Sequence, residues 1–199
     1  MLRYSIILKT ILPGLLLLFL IFTLPQLITT YFPGSVSSIA QKIYQAKELS
    51  NRLSFQAELA ARPKALSLEN PVIGAASNSF TDTWGAARSE GRRHEGVDIF
   101  ADRGAYIVSP VDGVVSRIGY GSRGGNFVFV SGPGNERYYF AHLDKVDMAL
   151  KEGQIVTANS TILGTVGNTG NAETTPPHLH LGIYGFGGAT NPYPRLVTN

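Results

Sequence analysis

The chain contains the stretch Asn126-Phe127-Val128-Phe129-Val130, then the turn residues Gly132-Pro133-Gly134-Asn135, and then Arg137-Tyr138-Tyr139-Phe140. Two runs of β-branched and aromatic residues on either side of a short glycine-rich segment are typical of a β-hairpin. Similar short runs recur between turn residues at 106–108, 114–118, 162–166 and 178–183. Because no helical periodicity separates these runs, the pattern predicts a mainly β fold, with a small antiparallel β-sheet domain over residues 72–199.

Residues 1–34 differ in composition from that domain. Within them, residues 11–28 are almost wholly apolar and carry no charge. About 20 apolar residues span a bilayer, with a lower limit near 17, so we expect a transmembrane anchor here. A cleaved signal peptide, whose apolar region usually has about 7–15 residues, is the alternative. Arg3 and Lys9 predict that the N-terminus stays inside and the rest of the chain lies across the membrane.

A juxtamembrane helix is predicted over residues 35–62, where apolar residues recur at spacings of three and four. Ser38 and Gln41 resemble a capping box at its start, and Arg62-Pro63 ends it. The helix is interpreted either as a stalk that binds a partner protein or as a helix that packs on the following domain. Residues 63–71 are then a linker.

Charge and cysteine content exclude several classes of function. The formal charge of +3 comes without a clustered Lys/Arg stripe or a nucleic-acid motif, so no nucleic-acid partner is expected. The chain has no cysteine. Disulfide bonds are therefore absent, and any metal ion must be held by nitrogen and oxygen ligands.

All four histidines of the chain lie in three short motifs. The motifs are His94-Glu95-Gly96-Val97-Asp98, Tyr139-Phe140-Ala141-His142 and His178-Leu179-His180. Alternate residues of a strand share a face, so both histidines of the last motif can enter one cleft. Gly96 leaves room for a close approach to a ligand. His142 ends an apolar run, where a strand delivers its last side chain to the rim of a sheet.

Two histidines and a carboxylate around an open fourth position are what a catalytic zinc centre requires. The same set on a β fold also describes a non-haem iron oxygenase, although that site leaves two histidines without a role. A single histidine near a strand end is usually structural. Because the three motifs together use every histidine, metal binding is the favoured interpretation.

The stretch from about residue 71 to residue 192 resembles the lysostaphin/LytM-type zinc metallopeptidases that cut bacterial peptidoglycan. The matching pieces are Trp84-Gly85, Arg92-Arg93-His94-Glu95-Gly96-Val97-Asp98-Ile99, Pro110-Val111-Asp112-Gly113-Val114-Val115, Gly125-Asn126-Phe127-Val128, Tyr139-Phe140-Ala141-His142-Leu143, Gly167-Asn168-Thr169-Gly170 and Pro177-His178-Leu179-His180. The resemblance implies an antiparallel β domain with one Zn²⁺ in a groove. It implies His94, Asp98 and His180 as the metal ligands and His142 and His178 as the catalytic pair.

The implied function is that of a zinc-dependent endopeptidase hydrolysing amide bonds in the cross-linking peptides of peptidoglycan. The two catalytic histidines would act as general base and oxyanion stabiliser. Arg88, Trp84 and Tyr139 are candidates for lining the groove, with packing as the alternative role. A non-enzymatic wall-binding scaffold or regulator of other wall hydrolases is the alternative function.

The implied location is the bacterial cytoplasmic (inner) membrane, crossed once, with the β domain in the periplasm or outside the cell. The helix would then be free to contact another envelope protein. The segment 171–177, between the Thr-Gly turn and His178-Leu179-His180, is about two residues longer than is usual in the family. Leu181-Gly182 stands where the family often has a Phe-Glu pair. Both differences lie at a wall of the groove, so they concern substrate preference.

Overall fold

The computed structural model describes residues 33–76 and 79–197. A long helix, α1 (Pro33–Ala61), comes first, and a short helix, α2 (Tyr193–Leu196), comes last. Between them lie nine strands: β1 (Val97–Phe100), β2 (Tyr106–Val108), β3 (Gly113–Gly121), β4 (Gly125–Ser131), β5 (Arg137–Val146), β6 (Ile155–Val156), β7 (Ile162–Val166), β8 (His178–Gly185) and β9 (Gly188–Thr190).

All nine strands belong to one antiparallel sheet. The order along its main path is β1-β8-β5-β4-β3-β6, while β7 pairs with β2 and β5, and β9 pairs with β8. The predicted hairpin is the β4–β5 pair, in which Val130 lies opposite Tyr138. The prediction of a mainly antiparallel β domain preceded by a helix is therefore confirmed.

Ser38, the predicted start of a capping box, lies within helix α1 rather than at its beginning. The chain divides into two units after Ser50, within this helix. In residues 33–76 and 79–197, no helix is long and apolar enough to cross a membrane. The anchor predicted at residues 11–28 lies outside the described residues.

The sheet separates a core from a groove by alternation along its strands. Along β1, Val97 and Ile99 are buried in the core, and Asp98 and Phe100 face the other way. Along β8, Leu179 and Leu181 are buried in the core. The core also includes buried side chains from the central strands, among them Val128, Val130, Tyr138, Phe140 and Leu143. The opposite face of β1 and β8 is thus free to carry chemistry.

The buried carboxylate of Glu136 contacts residues near both ends of the β domain. The Glu136 side chain has no exposed surface, and its two oxygens accept hydrogen bonds of 2.6 and 2.9 Å from Arg195 of α2. Lys64, just after α1, lies 3.4 Å from the same carboxylate, and the Tyr138 hydroxyl donates to it. Burial opposes ionisation of Glu136. The hydrogen bonds and charge of Arg195 outweigh it and hold the pKa of Glu136 below its ordinary value.

Substituting Glu136→Gln is expected to lower the free energy of unfolding by about 3 kcal/mol at pH 7, because Arg195 loses its buried partner. Since the folded-state pKa is depressed, this contribution is complete above the unfolded pKa of 4.5 and is lost as the pH falls through the folded-state pKa. Urea unfolding at a series of pH values checks this. Glu58→Gln, which breaks an exposed pair with Arg62, should leave the urea midpoint nearly unchanged. Equal urea midpoints for Glu136→Gln and the parent at pH 7 would contradict the prediction.

Candidate metal centre

Strand pairing brings the histidine motifs together. In the β1–β8 pair, Asp98 lies opposite His180 and Phe100 lies opposite His178. His180 also lies opposite Ala141 of β5, one residue before His142. His94 precedes β1 on a short hairpin, where its backbone N–H donates to Ala86 and its carbonyl accepts from Gly85.

Three ligand atoms converge at the centre of this arrangement. His94 Nε2 lies 3.0 Å from Asp98 Oδ1 and 2.9 Å from His180 Nδ1, and the last two atoms are 2.9 Å apart. These residues form a cluster with the composition and spacing of a metal site. The predicted ligand set is thus brought together, and it consists only of nitrogen and oxygen donors.

The donor chemistry of this cluster fits a zinc ion. His94 Nδ1 lies 3.0 Å from the Thr83 carbonyl, which can only accept, so the ring proton sits on Nδ1 and the Nε2 lone pair faces the cluster. Burial of Asp98 opposes its ionisation. When a proton rather than a metal ion occupies His180 Nδ1 or His94 Nε2, its hydrogen bond to Asp98 outweighs burial and holds the pKa of this carboxyl far below its usual range. An anionic oxygen and imidazole lone pairs directed at one point are what Zn²⁺ binds.

The two remaining histidines flank this cluster. The rings of His142 and His178 have centroids 5.0 Å apart, and His178 Nε2 lies 4.0 Å from Asp98 Oδ1. His178 Nδ1 donates to the Pro176 carbonyl at 2.9 Å, and His142 Nδ1 donates to the Thr169 carbonyl at 2.8 Å. In both rings Nε2 is therefore the free acceptor of the neutral imidazole.

Burial lowers the pKa of His142 to about 4. Its imidazole is accordingly neutral at pH 7 and has a lone pair available for a proton.

His142 lies inside β5, and the expectation that it ends a strand is wrong. The strand continues to Val146, but its register shifts next to His142 in the pairings with β4 and β7. His142 has a φ of +63°, a left-handed conformation that is uncommon for residues other than glycine. Such conformations persist where surrounding bonds enforce them, and here the His142 N–H donates to the Gly124 carbonyl. The bulge, rather than a strand end, presents this side chain to the groove.

The cluster lies in a groove of about 680 Å³. Arg88 and Tyr139 line it, as predicted for candidates, whereas Trp84 is not among its lining residues. Arg88 also has a contact that the sequence did not indicate: its guanidinium donates to Asp98 Oδ2 at 2.6 Å. This bond orients the carboxylate so that Oδ1 faces the two ligand histidines.

Sequence reasoning missed the backbone carbonyls that orient the imidazoles, those of Thr83, Thr169 and Pro176. Every residue has a backbone carbonyl, so the amino-acid type at these positions does not indicate that the carbonyl binds an imidazole. A partial signal existed only for Thr169, which stands in the matching piece Gly167-Asn168-Thr169-Gly170. Its hydroxyl accepts from the Asn126 N–H and donates to the Leu143 carbonyl, which fixes the loop beside His142.

Gly96 makes room for a ligand residue rather than for the substrate. A Cβ at this position would lie 2.5 Å from both His180 Cε1 and the Leu181 carbonyl oxygen. Gly96→Ala is therefore expected to displace the His180 ring and weaken zinc binding by about 10- to 100-fold. Competition with a chromophoric chelator measures this. Gly187→Ala, at a position with open space around it, serves as the control. Unchanged zinc affinity in Gly96→Ala would contradict the assignment.

Comparison with known proteins points to one family. The sequence model of the protein family described as "Peptidase family M23" matches residues 92–192 of this chain. This range includes the three ligand candidates and both flanking histidines.

Individual relatives agree with this match. The chain is 40% identical over 129 residues to the L-Ala–D-Glu endopeptidase of Bacillus subtilis, covering 59% of this chain and 39% of the relative. It is 35% identical over 89 residues to the peptidoglycan DD-endopeptidase ShyC of Vibrio cholerae, covering 45% and 19%. The catalytic domain of lysostaphin from Staphylococcus simulans superposes with a TM-score of 0.52 at 29% identity, covering 59% of this chain and 92% of that domain. The chain thus spans well under half the length of the Bacillus subtilis and Vibrio cholerae relatives.

Proposed function

Because this chain belongs to peptidase family M23, as its motifs indicated, we propose that it is a zinc-dependent endopeptidase that hydrolyses amide bonds in the cross-linking peptides of peptidoglycan. The observation that carries the proposal is the convergence of five side chains. Three ligand atoms lie within 3.0 Å of one another, and two further imidazoles face them with free Nε2 atoms.

His94, Asp98 and His180 would hold the zinc ion. When bound, zinc at such a site lowers the pKa of a water ligand to about 7 and polarises a carbonyl oxygen. The remaining chemistry is proton transfer, which belongs to the chain's own residues. The helical motif His-Glu-x-x-His, with which other metalloproteases supply a glutamate base, does not occur in this sequence.

His142 and His178 supply the proton transfers. Each is held by an Nδ1–H bond to a backbone carbonyl, so each presents Nε2 to the groove. One Nε2 takes a proton from the attacking water, and the imidazolium that forms gives that proton to the leaving amide nitrogen. The other ring lies 5.0 Å away and, when it carries a proton on Nε2, donates a hydrogen bond to the carbonyl oxygen on which negative charge develops.

Peptidoglycan as substrate is supported by the relatives, because the Vibrio cholerae protein is a peptidoglycan DD-endopeptidase and the Bacillus subtilis protein is an L-Ala–D-Glu endopeptidase. Location is part of the same proposal. Residues 11–28 would anchor the chain in the cytoplasmic membrane with the β domain outside. The exposed apolar side chains of α1, Ile39, Ile43 and Leu49, support a contact with another envelope protein.

Digestion of isolated wall sacculi tests the proposal. The purified chain loaded with zinc should release soluble peptide-containing fragments, and their masses identify the bond that is cut. Treatment with a chelator should stop the release, and added zinc should restore it. A chain that binds zinc and sacculi but releases no fragment would instead support the scaffold function.

A further inference from the structure

A second cavity, the distal cavity, lies next to the groove that contains the histidine cluster. It has a volume of about 480 Å³ and is lined by the end of α1, the β4–β5 connection and the β8–β9 turn. The part of α1 that lines it follows Ser50 and belongs to the same compact unit as the β domain. Tyr184 lines both the distal cavity and the groove. A long substrate that fills the groove can therefore continue into the distal cavity.

Strand register fixes the position of the distal cavity relative to the metal centre. His180 and Tyr184 lie four residues apart on β8, so their side chains leave the same face of the strand about 13 Å apart. Arg137 of β5 lies opposite Tyr184, and Ser131 of β4 lies opposite Arg137. Ser131, Arg137 and Tyr184 therefore form one row across the sheet, on the face that carries His180.

The polar side chains of the distal cavity are available to a ligand. Within residues 33–76 and 79–197, the side chains of Gln56, Asn135 and Arg137 make no hydrogen bond or ion pair. The Arg137 guanidinium is instead held over the Phe129 ring, 5.7 Å from its centroid, so its N–H groups remain uncommitted. Side-chain amides both donate and accept hydrogen bonds, whereas a guanidinium only donates. Together these groups suit a ligand that carries several hydroxyl, amide or carboxylate groups.

The charge of the distal cavity disfavours a cationic ligand. Among the residues that line it, Glu136 is the only one with a carboxylate, and both of its oxygens accept hydrogen bonds from Arg195. Arg137 is the remaining charged group of the lining. The cavity therefore favours a neutral or anionic ligand.

The strands beneath the distal cavity cannot bind a peptide by extending the sheet. At the row of Ser131, Arg137 and Tyr184, β4 lies between β3 and β5, β5 lies between β4 and β8, and β8 lies between β5 and β9. Their backbone groups are thus already paired, whereas strand addition needs a free edge. Recognition at this place depends on side chains alone.

Two aromatic side chains give the distal cavity apolar surface beside its polar groups. Phe186, in the β8–β9 turn, is fully exposed, and Tyr184 is half-buried. A pyranose ring has a flat C–H face that packs against an aromatic ring, and hydroxyl and acetamido groups at its edge that hydrogen-bond to amides and guanidinium groups. The combination therefore matches a sugar.

We propose that the distal cavity binds an N-acetylated sugar unit of the glycan strand while the attached peptide lies in the catalytic groove. Arg137, Gln56 and Asn135 hydrogen-bond to the acetamido and hydroxyl groups, and Phe186 packs against the sugar ring. The distance of about 13 Å from His180 equals about four residues of extended peptide between the sugar and the metal centre. This inference rests on the proposed endopeptidase function and adds a site for a second part of the same substrate.

Sugar binding is tested on the full zinc-loaded chain by calorimetric titration with chitotetraose, a soluble tetramer of N-acetylglucosamine. The parent should bind it, and Arg137→Ala and Phe186→Ala should each weaken binding about tenfold, as the loss of a charged hydrogen-bonding group or an aromatic contact usually does. Arg117→Ala and Tyr120→Ala are the matched controls. Arg117 lies 5.6 Å from the Phe127 ring centroid and Tyr120 is exposed, and neither lines the distal cavity or the groove. Both controls should bind chitotetraose as the parent does.

Hydrolysis by the same variants separates the sugar from the peptide. Arg137→Ala and Phe186→Ala should digest sacculi about tenfold more slowly than the parent, but cleave cross-linked peptides freed of glycan at the parent rate. If the parent does not bind chitotetraose, or if both variants bind it undiminished, the sugar site is overturned and the proposed function stands. Equal losses on sacculi and on glycan-free peptides also overturn it, because the cavity then binds peptide. A parent that binds chitotetraose but cleaves neither substrate overturns the endopeptidase function and leaves the sugar site.

Discussion

Replacing His180 by alanine is expected to abolish zinc binding and lower the rate of peptidoglycan hydrolysis at least about 10³-fold, because the metal supplies several kcal/mol of transition-state stabilisation. His180 Nδ1 lies 2.9 Å from both other ligand atoms, so its loss removes one corner of the ligand triangle. The zinc content measured by metal analysis should fall from one zinc per chain to none.

The control for His180→Ala is the parent stripped of zinc by a chelator. Both proteins should be inactive at first, and added zinc should restore only the parent. Thermal unfolding of the two metal-free proteins should be similar, which shows that the variant still folds. A His180→Ala protein that retains one tightly bound zinc would refute the ligand assignment.

The second large effect is expected for His142→Ala, which should keep one zinc per chain and lose about 10²- to 10⁴-fold in kcat. The His142 ring flanks the ligand triangle without belonging to it, and its centroid lies 5.0 Å from that of His178. His178→Ala should behave similarly. Because the two rings act on one proton-transfer sequence, the double variant should lose little more than either single variant.

Asn171→Ala is a suitable comparison, because Asn171 lines the same groove wall through an exposed side chain. Its kcat should stay within a few-fold of the parent. The division between metal-binding and proton-transfer histidines is wrong if His142→Ala hydrolyses sacculi as fast as the parent, or if it loses zinc. Single-turnover measurements with metal analysis on the same samples separate these outcomes.

The strands were predictable because alternation is a local pattern, whereas the set of metal ligands was predicted through the family resemblance. Alternation along 178–183 predicts which side chains share a face, and the structure places Leu179 in the core and His180 at the cluster. The contact between Asp98 and His180 joins residues 82 positions apart. This contact follows from the register of the β1–β8 pair, and the spacing of residues within each motif does not reveal that register.

Other features could not be predicted because competing local arrangements have similar energies. The bulge at His142 inserts a left-handed residue into a run that otherwise has a continuous strand pattern. Ser38 lies within helix α1 rather than at its beginning, because serine is tolerated inside helices as well as favoured at their N-caps. The Arg88–Asp98 bond depends on the position of a separate hairpin, so its significance appears only in three dimensions.

The buried Glu136 carboxylate has a consequence for chain architecture. Lys64, where the chain enters the β domain, and Arg195, where it leaves, contact the same side chain. The points of entry and exit are therefore neighbours, as in domains that tolerate insertion into a host protein or circular permutation. A short loop joining the two points, with new termini opened at the exposed Gly187 turn, should preserve the sheet and its metal centre. The β domain thus receives and releases the chain at one place on its surface.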